Sequence, residues 1–82
     1  MINKFEVGNR ISAMRKKAGY TQAILADKLG ISTQAVSKWE NGAALPDIEI
    51  LLGISLLFKM SINEILVGNN VFTKIVNRPY YL

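Results

Sequence analysis

The chain has 82 residues, a net charge of +4, a hydrophobic fraction of 50%, and neither histidine nor cysteine. One small folded domain is therefore expected, and disulfides, thiolate metal sites, thiol nucleophiles and imidazole bases are excluded. Because the six carboxylates are also scattered along the sequence, the composition argues against an enzyme and predicts neither a metal nor a cofactor.

Two helices are predicted before residue 30. Apolar residues recur at helical spacing over residues 5–18, and Gly19 ends this first helix because glycine tolerates the left-handed backbone of a helix end. Thr21 is a good N-cap for a second, shorter helix over residues 22–29, which Gly30 stops. The connection between these two helices is brief.

A third helix is predicted over residues 33–40. A serine that can serve as N-cap precedes it, and the Asn41-Gly42 pair that follows is a strong stop signal. Val36 and Trp39 lie three residues apart, so both should face the core. We therefore interpret Trp39 as a core residue.

Two further helices are predicted in the second half. Pro46 suits the first turn of a fourth helix that runs to residue 58. Ser61 and Glu64 form a capping box for a short fifth helix that ends at Gly68. Since no strand pattern precedes residue 70, the fold class predicted is all-α, with five helices in one domain over residues 1–68. A short apolar tail follows over residues 69–82, and its sequence is compatible with either a strand or a helix.

Residues 21–42, TQAILADKLGISTQAVSKWENG, are the most informative stretch. Two short helices joined by the turn at residues 30–32 cross at a steep angle, so the second can protrude as a ridge narrow enough for the major groove of DNA. The charge distribution fits a polyanionic partner, although a solvated cationic face would give the same pattern. Residues 1–38 carry seven basic and two acidic side chains, whereas residues 39–82 carry three basic and four acidic side chains.

This stretch resembles the Cro/repressor (XRE-type) helix-turn-helix family. The resemblance extends to RKKAGYTQ at residues 15–22 and LPDIEILL at residues 45–52, and it covers roughly residues 7–66. It implies a lambda-repressor-like DNA-binding fold and a cytoplasmic, nucleoid-associated regulator of bacterial or phage-like origin. The function implied is sequence-specific binding of double-stranded DNA by a homodimer on a pseudo-palindromic operator, with repression the expected effect.

The resemblance also assigns base contacts to the third helix, at Thr33, Gln34, Ser37 and Lys38. An amide both donates and accepts, so Gln34 matches the N6 and N7 positions of adenine. Lys38 suits guanine O6 and N7 or a phosphate, and Thr33 suits a thymine methyl group or a phosphate. Ser37 lies on the neighbouring strip of the helix and is the least decided of the four.

Phosphate contacts and one structural ion pair complete the expected site. Gln22, at the start of the second helix, and Asn41, just after the third, resemble the phosphate clamps of the family. The ion pair of Arg15 with Glu40 would tie the first helix to the end of the third. Diffuse attraction to phosphate is expected from the nearby lysines Lys16, Lys17 and Lys28.

The sequence departs from the family pattern in two places. Ile24 stands where the family usually has a glutamate, which leaves the capping box of Thr21 incomplete. The fourth helix is apolar around most of its circumference. We expect one stripe of it to face the core, such as Ile48, Leu51, Leu52 and Phe58.

The excess of apolar residues in the fourth helix and in the tail predicts a second interface. One interpretation is a homodimer formed through Ile50, Leu56, Val71, Phe72 and Ile75, since large exposed apolar patches are rare on soluble monomers. The alternative is that the tail folds back over the fourth helix of its own chain. A protein partner, antitoxin-like or anti-repressor, is the competing functional interpretation.

Overall fold

The computed structural model describes residues 2–68, and these residues form five helices without a strand. The helices are α1 (Lys4–Lys17), α2 (Gln22–Leu29), α3 (Thr33–Glu40), α4 (Ile48–Phe58) and α5 (Ile62–Val67). The all-α prediction is confirmed, and the bounds predicted for α2 and α3 are those observed. Within residues 2–68, every helix falls short of the length and apolar content that a bilayer crossing requires. The expected tail over residues 69–82 lies outside the described residues.

The first helix begins and ends one residue earlier than predicted. Asn3 is its N-cap, and the side-chain oxygen of Asn3 accepts two backbone N–H groups of the first turn at 2.9 and 3.1 Å. At the other end Ala18 is the C-cap, and Gly19 takes the left-handed conformation with φ of 79°. Asn3 therefore provides an acceptor for backbone N–H groups of the first turn that have no partner within the helix.

The fourth helix begins later than predicted. Asp47 is its N-cap, and the carboxylate of Asp47 accepts the backbone N–H of Ile50 at 2.9 Å. Pro46 consequently precedes the cap and lies outside the first turn, where the sequence analysis placed it. The capping preference of the aspartate thus outweighs the positional preference of the proline. For α5, the predicted capping box of Ser61 and Glu64 is confirmed by hydrogen bonds in both directions.

The core lies where α1, α2 and α3 meet, and α4 and α5 close it. Val36 and Trp39 are buried, as their spacing predicted. The α3 helix thus buries one face and leaves the other to solvent. The buried apolar residues are Val7, Ile11, Leu25, Ala26, Val36, Trp39, Leu51, Ile54 and Ile65.

The core-facing stripe of α4 differs from the expected one. Leu51 and Ile54 are its buried residues, and Ile50 packs partly against the core. Ile48 and Leu52, which were expected to face inward, are 72% and 52% exposed. Periodicity could not choose the inward face because nearly every face of this helix is apolar. The exposed apolar residues of α4 follow one another at four-residue spacing and are here called the α4 stripe: Ile48, Leu52 and Leu56.

Arg10 ties α1 to the C-terminal end of α5. Its Nε donates to the carbonyl of Ile65 and its Nη2 donates to the carbonyl of Leu66, both at 2.8 Å. These carbonyls lie in the last turn of α5, where a helix leaves its carbonyl groups without intrahelical partners. The chain therefore leaves α5, at Gly68, beside the side chain of Arg10.

Gly8 permits the close approach of α1 to the end of α3. A Cβ at this position would lie 2.0 Å from the backbone oxygen of Trp39 and 3.2 Å from the Cα of Glu40. These neighbours are backbone atoms, so they cannot move away as a flexible side chain could. Gly8 therefore sets the separation of the two helices.

We expect Gly8→Ala to destabilise the domain by about 2–3 kcal/mol, the upper part of the range for overpacking in a core, because the overlap is with backbone atoms. This loss exceeds the gain of about 1 kcal/mol that alanine brings to a helix interior. Gly53→Ala in α4 is the matched control, because its Cβ would meet only the end of the Leu29 side chain, at 3.3 Å. Urea unfolding of both variants measures the difference, and equal stabilities would contradict the assignment.

Candidate nucleic-acid interface

The exposed face of α3 carries the side chains that the sequence analysis assigned to base contacts. Thr33, Gln34 and Lys38 are exposed, and Ser37 is partly buried. The helix is capped by the hydroxyl of Ser32, which accepts a backbone N–H of the first turn at 3.2 Å. Burial of Val36 and Trp39 on the opposite side fixes which face is free. The structure therefore brings three of the four predicted base contacts together on one exposed surface.

The expected pair of Arg15 and Glu40 is present and is bidentate. Arg15 Nε lies 2.7 Å from Glu40 Oε2, and Arg15 Nη2 lies 2.9 Å from Glu40 Oε1. The two side chains are only 11% and 9% exposed. Arg15 Nη1 also donates to the carbonyl of Tyr20 at 2.9 Å. The pair thus joins α1, the turn before α2 and the last residue of α3.

Gln22 is a further member of this cluster. Its Nε2 donates to Glu40 Oε1 at 3.1 Å, so one carboxylate holds side chains from α1 and α2 at the end of α3. The sequence predicts Gln22 at a phosphate but does not predict this bond. The amide retains its carbonyl oxygen and a second N–H, which leaves it able to donate to a phosphate.

The environment of Glu40 keeps its carboxylate ionised. Burial by itself would raise the pKa of Glu40, but hydrogen bonds from Arg15, Gln22 and Ser12, together with the charge of Arg15, hold that pKa below its ordinary value. The hydrogen bond to Glu40 in turn raises the pKa of Arg15, against the opposing effect of burial. Both partners are therefore charged at neutral pH.

Asn41 lies next to this cluster. It is the C-cap of α3, and its Oδ1 accepts the backbone N–H of Ala43 at 3.0 Å. This bond orders the turn after α3 and leaves the side-chain NH₂ group available as a donor. Gln22, bonded to Glu40, and Asn41, which follows Glu40 in sequence, are therefore neighbours at one end of α3.

The predicted lysine contacts are dispersed. Lys16 is exposed in the last turn of α1. Lys17 lines an apolar groove on the face of α1 that points away from α3. The Lys28 ammonium lies 5.1 Å from the centroid of the Tyr20 ring, where it makes a cation–π contact. Lys17 is therefore not brought beside the face of α3 that carries Gln34.

Phe5 is a neighbour of the site that the sequence analysis did not single out. Gly42 has φ of 79°, and a Cβ on it would lie 2.4 Å from Phe5 Cδ1. The ring therefore lies over the turn that follows α3 while remaining 66% exposed. The signal available in the sequence was the glycine after Asn41, which predicted the turn but not its partner.

The profile described as "Helix-turn-helix" matches residues 11–65 of this chain, which include all of α2, α3 and α4. The chain belongs to the Cro/repressor (XRE-type) helix-turn-helix family. In this family the second helix of the motif, here α3, is the recognition helix, and α2 and α3 are the motif itself. The resemblance recognised in the sequence is thereby confirmed.

The curated relatives of the chain include transcriptional regulators. The HTH-type transcriptional activator BcrR of Enterococcus faecalis is 37% identical over 68 residues, which are 83% of this chain and 33% of BcrR. The chain spans between a third and about half of the length of the first curated relatives that it matches. The shared region is therefore the helix-turn-helix domain and not the whole of those proteins.

Two solved structures show the same helix-turn-helix fold. The P22 c2 repressor of Salmonella phage P22, in complex with a synthetic operator, is 38% identical with a TM-score of 0.73. That match covers 77% of this chain and 96% of the other. SinR of Bacillus subtilis, in its complex with SinI, is 28% identical with a TM-score of 0.69 and covers 85% of this chain and 74% of the other.

We expect Glu40→Gln to remove a contribution to stability that depends on pH. Because the pKa of Glu40 is lowered in the folded domain, its contribution is complete above the unfolded pKa of about 4.3 and is lost as pH falls through the folded pKa. The difference in unfolding free energy between the parent and Glu40→Gln should therefore be largest at neutral pH and shrink below about pH 4. Urea unfolding at a series of pH values measures it.

The control for this prediction is the same comparison made in an Arg15→Met background. Arg15 supplies both a hydrogen bond and the opposite charge to Glu40. Without it, Glu40→Gln should change stability less, and the pH dependence of that change should be weaker. A Glu40→Gln effect of the same size and pH profile in both backgrounds would contradict the ion-pair assignment.

Proposed function

We propose that the chain is a DNA-binding transcriptional regulator that inserts α3 into the major groove of double-stranded DNA, with repression as the expected effect. The observation that carries this proposal is the exposed polar face of α3, held by a buried apolar face on one side and by the Glu40 cluster at its end. Membership of the helix-turn-helix family supports it. The net charge of residues 1–38 supplies the attraction to phosphate.

In this proposal, Gln34 is the principal base reader. It lies in the first turn of α3, which is the part of a recognition helix that reaches base edges in the helix-turn-helix docking geometry. Its amide pairs with the N6 and N7 positions of adenine. Lys38, one turn further along, contacts guanine or a phosphate, and Thr33 lies at the helix start beside the backbone. Ser37 is the least accessible of the four.

Gln22 and Asn41 are the proposed phosphate contacts, and Lys16 adds charge nearby. Both amides sit at the end of α3, and the carboxylate of Glu40 holds that of Gln22 in place. Contacts of this kind fix the register and angle of a protein on DNA without reading sequence. The Glu40 cluster therefore couples the orientation of the recognition helix to the position of the phosphate contact.

We further propose that the domain binds a pseudo-palindromic operator as a homodimer through the α4 stripe. Ile48 and Leu56 are 72% and 71% exposed, and an apolar surface of this kind commonly marks an interface. Dimeric helix-turn-helix proteins bind two half-sites one helical turn, about 34 Å, apart, so the two copies of α3 would enter successive major grooves. Ile50 contributes less than expected because it packs on the core, and Val71, Phe72 and Ile75 lie outside the described residues.

A protein partner on the same α4 stripe is the second candidate. The relative SinR forms a complex with SinI, and the stripe is apolar enough to receive an amphipathic helix. An antitoxin-like or anti-repressor partner would then control DNA binding. Stoichiometric recovery of such a partner without protection of any DNA sequence would rank this candidate first.

We expect Gln34→Ala and Gln22→Ala to weaken DNA binding in different ways. Selection of bound sequences from a random pool first defines the operator, with two inverted half-sites expected. Gln34→Ala should cost about 1–3 kcal/mol on that operator and relax the preference at one base pair of each half-site. Gln22→Ala should weaken binding to operator and random DNA by similar factors, since a phosphate contact carries no sequence information.

Both effects are measured by fluorescence anisotropy across a range of salt concentrations. The affinity of the parent should fall steeply with salt as counterions are released. Equal losses on operator and random DNA for both variants would refute the assignment of Gln34 as a base reader. A sequence preference that Gln22→Ala alters at one position would refute the phosphate assignment.

We expect the double substitution Leu52→Gln and Leu56→Gln to abolish dimers, because the amides replace two of the three apolar side chains of the α4 stripe. Sedimentation at tens of micromolar should show a dimer for the parent and a monomer for the variant. Ile2→Gln is the matched control, since Ile2 is also exposed and apolar but lies outside α4. A monomeric parent at these concentrations would contradict the proposal.

A further inference from the structure

An apolar groove lies between the C-terminal half of α1 and the end of α4. Its volume is about 480 Å³, and it is lined by Ala13, Met14, Lys17, Ala18, Phe58 and Met60. We call it the α1–α4 groove. A cavity of about 150 Å³ with apolar walls already takes up benzene, so this groove has room for an aromatic ring and neighbouring aliphatic groups. Its lining is apolar except for the side chain of Lys17.

The α1–α4 groove lies on the face of α1 that points away from α3. Gly8 and Arg15, seven residues apart, share the face that packs on α3. Arg15 and Lys17 are two residues apart, which places them about 200° apart around the helix. A segment lying in the groove would therefore leave the exposed face of α3 uncovered.

The chain leaves α5 beside Arg10, which lies on the same face of α1 as the groove. Arg10 holds the last turn of α5, and a Cβ on Gly68 would lie 3.3 Å from Arg10 Nη1. Arg10, Ala13 and Lys17 are spaced by three and four residues and therefore share one face of α1. The described residues therefore end beside the side chain of Arg10, a residue that lies about one helical turn along α1 from Ala13 of the groove.

The residues that follow Gly68 have the composition that such a groove receives. Fourteen residues remain in the sequence, and half of them are apolar or aromatic. Phe72 comes four residues after Gly68, and four extended residues span about 13 Å, which is more than two turns of α1. The apolar residues of this segment are Val71, Phe72, Ile75, Val76, Tyr80, Tyr81 and Leu82.

We propose that residues 69–82 dock in the α1–α4 groove of their own chain, with Phe72 as the main apolar anchor. Covalent connection favours the same chain over a second copy, because a short flexible tether gives an effective concentration in the millimolar range. Docking removes apolar surface of both the groove and the segment from water. This inference does not rest on the proposed DNA binding, and it assigns Phe72 to the groove of its own chain and not to a dimer interface.

Disulfide trapping in the full chain tests this proposal directly, because the sequence contains no cysteine. The test pair is Ala13→Cys with Thr73→Cys, which places one thiol in the groove and the other next to Phe72. The control pair is Asn63→Cys with Thr73→Cys. Asn63 is exposed on α5 and only ten residues from Thr73, so an undocked segment would meet it at least as often as it meets residue 13.

Under mild oxidation at low micromolar concentration, the test pair should form an intramolecular disulfide at least tenfold faster than the control pair. Mass spectrometry and non-reducing electrophoresis distinguish a cross-linked monomer from a covalent dimer. Equal rates for the two pairs would overturn the proposal, as would a faster control pair. A test pair that gives mainly covalent dimers would show that a second copy supplies the segment, and this too would overturn it.

Methionine methyl resonances give a second measurement that needs no cysteine. The chain has three methionines, and two of them, Met14 and Met60, line the groove. Phe72→Ala should shift both methyl signals, because it removes the ring current of an aromatic group packed against them. Phe5→Ala, which removes an exposed ring over Gly42, should leave both in place. Methyl signals that do not respond to Phe72→Ala would overturn the proposal.

Discussion

The carboxylate of Glu40 holds together three helices at the point where the recognition helix ends. It accepts hydrogen bonds from Arg15 of α1 and Gln22 of α2, and it is itself the last residue of α3. Because both side chains are largely shielded from water, removing one partner leaves the charge of the other poorly compensated. The crossing of α1, α2 and α3 is thus fixed by a contact that tolerates little change. This contact therefore also sets the orientation of the exposed face of α3.

The elements with local start and stop signals were predictable from the sequence. The motif helices α2 and α3 are marked at both ends by capping hydroxyls, Thr21 and Ser32, and by residues that stop a helix, such as Gly30. The inward face of α4 was not predictable, because a helix that is apolar all round carries no amphipathic signal. The contact of Gly8 with Trp39 was also hidden, since it joins residues 31 positions apart and an isolated glycine in a helix only hints at close packing.

The site was predictable to the extent that it follows helix geometry. Burial of Val36 and Trp39 on one face of α3 leaves Gln34 and Lys38 on the other, and spacing alone shows this. The pair of Arg15 with Glu40 came from the family resemblance and is present. The bond from Gln22 to Glu40 could not be read in advance, because it depends on how α2 crosses α3.

Two opposite faces of α1 make different contacts, and both contribute to the stability of the domain. One face packs its backbone against α3 at Gly8, and the nearly opposite face carries Arg10 and the α1–α4 groove. A domain of this size buries a limited fraction of its surface, so a modest amount of added apolar contact is a large share of its net stability. A contact in the groove stabilises α1, and because α1 carries Gly8 and Arg15, it also stabilises the support of the recognition helix. Under the proposals above, surface on the opposite face of α1 would thereby contribute to the order of the proposed base contacts without competing for the same space.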